Sequence, residues 1–130
     1  MVITNIKATF QCDVQKVWQV VTSFDSYSWR SDIHKIEVLS ETQFVEYTKD
    51  GYITAFTITA TEPFKRWEFD MENNNMKGHW IGLFSQNGEE TTIDFTECVV
   101  AKKLLTMPFV KGYLKKKQSR YVADLEKALL

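Results

Sequence analysis

Apolar and polar residues alternate at the start of the chain. Val2, Thr4, Ile6, Ala8 and Phe10 share one side, which predicts a half-buried strand over residues 2–11. Asp13 stands where a carboxylate accepts from the free N–H groups of a helix start. Val14, Val17, Trp18 and Val21 then recur at three- and four-residue steps, one apolar stripe on a helix that ends near Ser23. Phe24 to Ser31 reads as a loop or a short second helix.

From Ile33 to Ala101 the pattern is strands joined by tight turns. Asp50-Gly51 and Asn87-Gly88 are favoured pairs for two-residue hairpins, because both central positions take positive φ. Asn74-Asn75 is a weaker example and Glu41-Thr42 weaker still. Turn position sets register, and register sets faces. Centring the turns on these pairs places Phe84 opposite Thr91, Trp80 opposite Phe95 and Gly78 opposite Glu97. It also places Phe69 opposite Trp80, Val45 opposite Phe56 and Tyr47 opposite Thr54. The expected inner face is Val45, Tyr47, Phe56, Ile58, Trp67, Phe69, Met71, Trp80, Phe84, Ile93 and Phe95. Glu46, Thr48, Glu68, Asp70, Asp94 and Thr96 fall outside, as do Phe44, Ile81 and Leu83. The inner glycines Gly78 and Gly82, opposite Met71 and Trp67, mark strong curvature or room for something else.

Pro108 suits a first helical turn, where its missing N–H would be unpaired anyway. Val110, Tyr113, Leu114, Tyr121, Leu125 and Ala128 form a stripe from there to Leu130. A helix of that length spans about 30 Å, enough to cross a small sheet. These elements describe one α+β domain over residues 1–130. A curved antiparallel sheet of about seven strands wraps around a long C-terminal helix, with one or two short helices after the first strand.

Composition sharpens this picture at two points. Four Trp, five Tyr and nine Phe in 130 residues exceed what a core of this size needs, so some rings are expected to line a cavity. A net charge of −1 supplies no basic surface for nucleic acid. The cluster Lys115, Lys116, Lys117, with Lys111 and Arg120, reads as a solvated helix face or a contact for an anionic head group. No stretch approaches a membrane span or the apolar core of a signal peptide, so a cytoplasmic protein without stable membrane insertion is expected. Cys12 and Cys98 lack metal-ligand spacing and read as reduced structural thiols.

Three stretches carry a family resemblance. Phe10 to Trp29 reads F-x-x-D-x-x-x-V-W-x-V-V-x-x-F-x-x-Y-x-W, Gly78 to Phe84 is a glycine-spaced aromatic strand, and Gly88 to Glu97 carries Thr91, Ile93, Phe95 and Glu97 at alternate positions. In this order they resemble the START-related superfamily, also called SRPBCC, which includes polyketide cyclase-like and birch-pollen-allergen-like proteins. The resemblance implies a helix-grip fold in which the long helix closes a pocket with Trp29 near its mouth. It also implies a lipid-like or aromatic, polyketide-like ligand, and in a minority of members catalysis.

The residues expected to hold such a ligand are Trp29, Tyr47, Phe56, Trp67, Phe69, Trp80, Phe84, Phe95, Glu97, Phe109 and Tyr113. Trp18, Trp67 and Trp80 read as packing residues ahead of ligand stackers, and Met107 and Phe109 serve either a pocket rim or a hinge or cap. The hydroxyls of Tyr47, Tyr113 and Tyr121 are available to a ligand or to the surface. Catalysis would need a polar pair inside. Only Glu97 with Tyr47 or His34 offers one, and none is assigned as catalytic. Glu97 inside an apolar cavity would have a raised pKa, unless it pairs with a lysine such as Lys111. His79 falls on the outer face beside Thr96 and Asp94. No metal site and no cofactor are expected. The leading expectation is a binder of a small hydrophobic molecule. A cyclase or dehydratase is the first alternative. The second is an interaction module with a dry core, its outer Phe44, Ile81 and Leu83 meeting a partner or forming a homodimer.

Overall fold

The computed structural model describes residues 1–103 and 106–130. The elements are β1 (Val2–Phe10), α1 (Val14–Thr22), β2 (Ile33–Val38), β3 (Gln43–Thr48), β4 (Ile53–Glu62), β5 (Arg66–Glu72), β6 (Met76–Asn87), β7 (Glu90–Ala101) and α2 (Met107–Ala128). Seven antiparallel strands form one sheet in the order β1-β7-β6-β5-β4-β3-β2. Six consecutive strands meander, and β1 pairs with the last of them. The sheet grips α2 on its inner face, the helix-grip arrangement.

Local chemistry accounts for the elements. The Asp13 carboxylate accepts from the Lys16 N–H at 2.9 Å and starts α1. Val17, Trp18 and Val21 are its buried stripe, and Trp18 meets Phe84 edge-on with ring centres 5.0 Å apart. Residues 24–31 form a loop with no helical turn, so one short helix follows β1. In α2, Pro108 occupies the first turn, and Val110, Leu114, Gln118 and Leu125 are buried. No described helix is long and apolar enough to cross a membrane.

The hairpins agree with the expected registers to three different degrees. Between β5 and β6 the agreement is complete: Met71 faces Gly78, Phe69 faces Trp80 and Trp67 faces Gly82. The Asn73 side-chain oxygen holds that turn by accepting from the N–H groups of Asn75 and Met76 at 2.8 and 3.0 Å. Between β6 and β7 the turn is centred on Gly88-Glu89, with Gly88 at φ +61°. Phe84 therefore faces Ile93 rather than Thr91, Trp80 faces Glu97 rather than Phe95, and Gly78 faces Val99 rather than Glu97. That displacement of two residues leaves every side chain on its expected face.

Between β3 and β4 the displacement is one residue, and the faces of β3 reverse while Phe56 of β4 stays inside. The loop is Lys49-Asp50-Gly51, with Gly51 at φ +94°. The Thr48 N–H donates to the Tyr52 carbonyl at 2.9 Å, and the Gly51 N–H donates to the Thr48 carbonyl at 3.1 Å. This is a three-residue turn with glycine in its left-handed position, which the same Asp-Gly pair serves as well as the two-residue form. Phe44 faces Phe56 and Tyr47 faces Ile53. Val45 and Tyr47, expected inside, lie outside, while Phe44, Glu46 and Thr48, expected outside, are buried.

Candidate functional site

A cavity of about 120 Å³ lies between the inner face of the sheet, the loop after α1 and the middle of α2. It is smaller than the several hundred Å³ typical of ligand pockets, because the inner rings stack on one another. Phe44 lies flat on Phe56 with ring centres 4.7 Å apart, and Phe69 lies flat on Trp80 at the same spacing. Phe95 tilts against Trp80, also at 4.7 Å. The Trp80 indole occupies the space a side chain at Gly82 would need: a Cβ there would stand 2.6 Å from its Cζ3. Gly82 thus makes room for a ring of the protein itself.

The rest of the lining is polar and draws on the loop, the sheet and α2. Arg30, from the loop, donates to Glu46 of β3 at 2.8 Å and to Asp32 at 3.3 Å. The side chains of Arg30 and Glu46 are each only 12% exposed. Burial opposes the charge on Arg30, but Glu46, Tyr121 and Asp32 outweigh it and move its pKa up. The Arg30 guanidinium lies 5.1 Å from the Tyr121 ring centre. Burial drives the Tyr121 hydroxyl up in turn. The loop is tied down on its far side, where the Ser31 N–H and hydroxyl both donate to the Asp124 carboxylate at 2.8 Å.

Glu97 points into the cavity from β7. Burial raises its pKa from 4.5 to about 7; Lys117 works against that shift and Glu46 adds to it. The lysine that tempers it is Lys117, one helical turn and a half beyond the exposed Lys111. Three cavity-lining residues carry a buried N–H group with no protein acceptor: Trp29 Nε1, Arg30 Nε and Gln118 Nε2. A buried donor left without an acceptor costs about 1–3 kcal/mol.

Of the residues expected to touch a ligand, Trp29, Phe56, Trp67, Phe69, Trp80, Phe95, Glu97 and Tyr113 line the cavity. Four other candidates stand elsewhere. Tyr47 is on the outer face, where its hydroxyl donates to Glu37 at 3.3 Å and Lys35 sits 5.1 Å from its ring centre. Phe84 is buried under Trp18 of α1, on the sheet's inner face but away from the cavity. Phe109 is 73% exposed, because it projects from the first turn of α2 away from the sheet. His34 is exposed at an irregularity in edge strand β2, where pairing skips from Ile33 to Lys35. Neither Tyr47 nor His34 therefore meets Glu97. His79 is on the outer face as expected, but its neighbours are Asp70 and Glu68, at 2.6 and 2.8 Å. These bonds outweigh its partial burial and raise its pKa.

Arg30, Glu46 and Gln118 are site residues that periodicity did not reveal. The one signal for them was Phe44, a large ring that the two-residue turn had to leave outside. Cys12 and Cys98 are free thiols, and no group of three or more His, Cys, Asp or Glu among the described residues is placed to hold a metal ion.

A sheet gripping a long helix over a ring-lined cavity defines the START-like class. The family described as polyketide cyclase / dehydrase and lipid transport matches residues 1–129, and the chain belongs to it. Among solved structures, a START superfamily protein from Mycobacterium smegmatis superposes with a TM-score of 0.90 at 12% identity, over 98% of this chain and 96% of that one. A conserved protein from Geobacillus kaustophilus gives 0.85 at 14% identity, over 98% and 95%. A protein of the dynemicin biosynthetic locus, DynU16, gives 0.75 at 15%, with 98% of this chain covering 46% of that one. At these identities the likeness establishes the fold alone. No curated protein matches the chain in sequence.

Proposed function

We propose that residues 1–130 act as one binding module for a compact apolar molecule, an aromatic or alicyclic ring that carries hydrogen-bond acceptors. The observation that carries this reading is the set of three buried, unpartnered N–H groups of Trp29, Arg30 and Gln118 around one ring-lined cavity. Donors without acceptors call for a carbonyl, ether or hydroxyl oxygen. The cavity is near the size that accommodates one benzene-like ring, about 150 Å³ in an engineered apolar case. The family to which the chain belongs supports a cyclase or dehydratase as the second reading. Its support here is Glu97 alone, a carboxyl near neutrality inside the cavity. A homodimer through outer-face Ile81 and Leu83 would leave the cavity unchanged, and sedimentation at two concentrations measures it.

The test is calorimetric titration with acetophenone and with ethylbenzene, which differ by one acceptor oxygen. Acetophenone is expected to bind more tightly in the wild type. Gln118→Leu, which removes one donor, should narrow that preference by up to about tenfold. Phe95→Glu should abolish binding of both in a protein that keeps its secondary structure. Absence of binding by either compound to folded wild type would refute the reading.

A further inference from the structure

A second concavity, of about 300 Å³, adjoins the cavity and shares Asp32, Tyr113 and Lys117 with it. Its other walls are Ser31, Thr48, Lys49, Asp50, Lys116 and Arg120. They come from the loop after α1, the β3–β4 hairpin and the middle of α2. The backbone joins the first two: the Lys49 N–H donates to the Asp32 carbonyl at 2.9 Å. Tyr113 and Lys117 are one helical turn apart on α2, as are Lys116 and Arg120, so two adjacent rows of the helix face this groove.

The charges of the groove are unequally matched. Its two acids are engaged within the protein, Asp32 by Arg30 at 3.3 Å and Asp50 by the Thr48 hydroxyl. Its four cations, Lys49, Lys116, Lys117 and Arg120, form no ion pair among the described residues. Lys117 lies at the junction, 5.8 Å from the Tyr113 ring centre and within the field of Glu97. Lys111 and Lys115, of the same basic cluster, do not line the groove.

We propose that the ligand bears an oxyanion, carboxylate or phosphate, on a short tether, and that this group leaves the ring cavity past Lys117 and Tyr113 to sit between Lys49, Lys116 and Arg120. The proposal rests on the binding function above and adds the polarity of the ligand: ring inward, anion outward. A groove of unpaired cations beside a low-dielectric cavity also raises the local concentration of an anionic ligand and speeds its entry.

The experiment compares 5-phenylvalerate, 4-phenylbutyl phosphate and the uncharged 5-phenylvaleramide by titration at low and at physiological salt. Either anion is expected to bind about tenfold more tightly than the amide at low salt, with the gap narrowing as salt screens the groove. The stronger of the two names the oxyanion. The double change Lys116→Gln with Arg120→Gln should bring the ratio close to one. The double change Lys111→Gln with Lys115→Gln removes the same charge from the same helix and should preserve it. An amide that binds as tightly as both anions, or a preference lost equally in the two double variants, would overturn the proposal while the cavity reading stands. Absence of binding by all three compounds, with acetophenone also failing, removes both.

Discussion

The two walls of the cavity are built on opposite principles. The ring wall is a self-contained cluster: Phe44 on Phe56, Phe69 on Trp80, and Phe95 against Trp80. Each ring finds its partner on the adjacent strand, and the contacts between them are apolar. The polar wall, made by Arg30 of the loop, Glu46 of β3, Glu97 of β7 and Gln118 of α2, is under-satisfied. It holds one buried ion pair, one carboxyl raised to about 7 and two N–H groups, Arg30 Nε and Gln118 Nε2, without acceptors. An apolar wall contributes stability through buried area. A polar wall in low dielectric contributes selectivity at the expense of stability. The difference separates where the fold is held together from where the proposed ligand would be recognised.

The largest effect should come from breaking the polar wall. Arg30→Leu leaves Glu46 as a buried charge without its partner, and urea unfolding should show a loss of about 3–5 kcal/mol. Adding Glu46→Leu to that variant should return most of it. A double variant as unstable as the single one would show that Arg30 matters through its packing on Tyr121 instead.

Next in size is the pH response of Glu97. Its folded pKa, about 7, lies above its ordinary 4.5, so the folded chain holds a proton that the unfolded chain has released between those values. Stability therefore falls as pH rises from about 4.5 to 7 and is level above, by roughly 3 kcal/mol at about 1.4 kcal/mol per unit. Glu97→Gln should remove this fall. Unfolding midpoints at pH 5 and pH 8 measure it, and a wild type that gains stability over that interval would contradict the burial assigned to Glu97.

The smallest effect tests the ring wall. Gly82→Ala drives a methyl toward the Trp80 indole and to 3.2 Å from Phe95 Cε1. Because the Trp80 indole is packed against both Phe69 and Phe95, the change should cost about 1–3 kcal/mol by overpacking. The comparison is Gly112→Ala on α2, where an added Cβ meets nothing within 4 Å. There the change should stabilise by about 0.5–1 kcal/mol through helix propensity. Equal outcomes at both glycines would show that the ring wall yields to fill space.

How far the site was legible depended on whether its signal was local. Phe69, Trp80 and Phe95 were legible because alternation places them inside in either of two registers that differ by two residues. The β3–β4 hairpin was not, because Asp50-Gly51 serves a two-residue and a three-residue turn alike, and the choice reverses β3 while Phe56 of β4 stays inside. Val45 and Tyr47 gave the outward side the more apolar alternation, which pointed the wrong way. What decides is tertiary: the Phe44 ring has Phe56 and Trp67 to stack on, and Glu46 has Arg30. That arginine lies sixteen residues upstream in an irregular loop, where periodicity carries no information.

Alternation, turn pairs and helix stripes, each a property of a few neighbouring residues, sufficed to determine the element order, the grip of sheet on helix, and a ring-lined interior holding Glu97. Packing between distant segments alone decided that Glu46 turns inward to meet Arg30, that Tyr47 and His34 face away, and that Lys116, Lys117 and Arg120 of α2 line a groove beside the cavity. Side-chain burial and ion pairing are settled by what arrives from elsewhere in the chain, and a strand's own pattern contains no record of that partner.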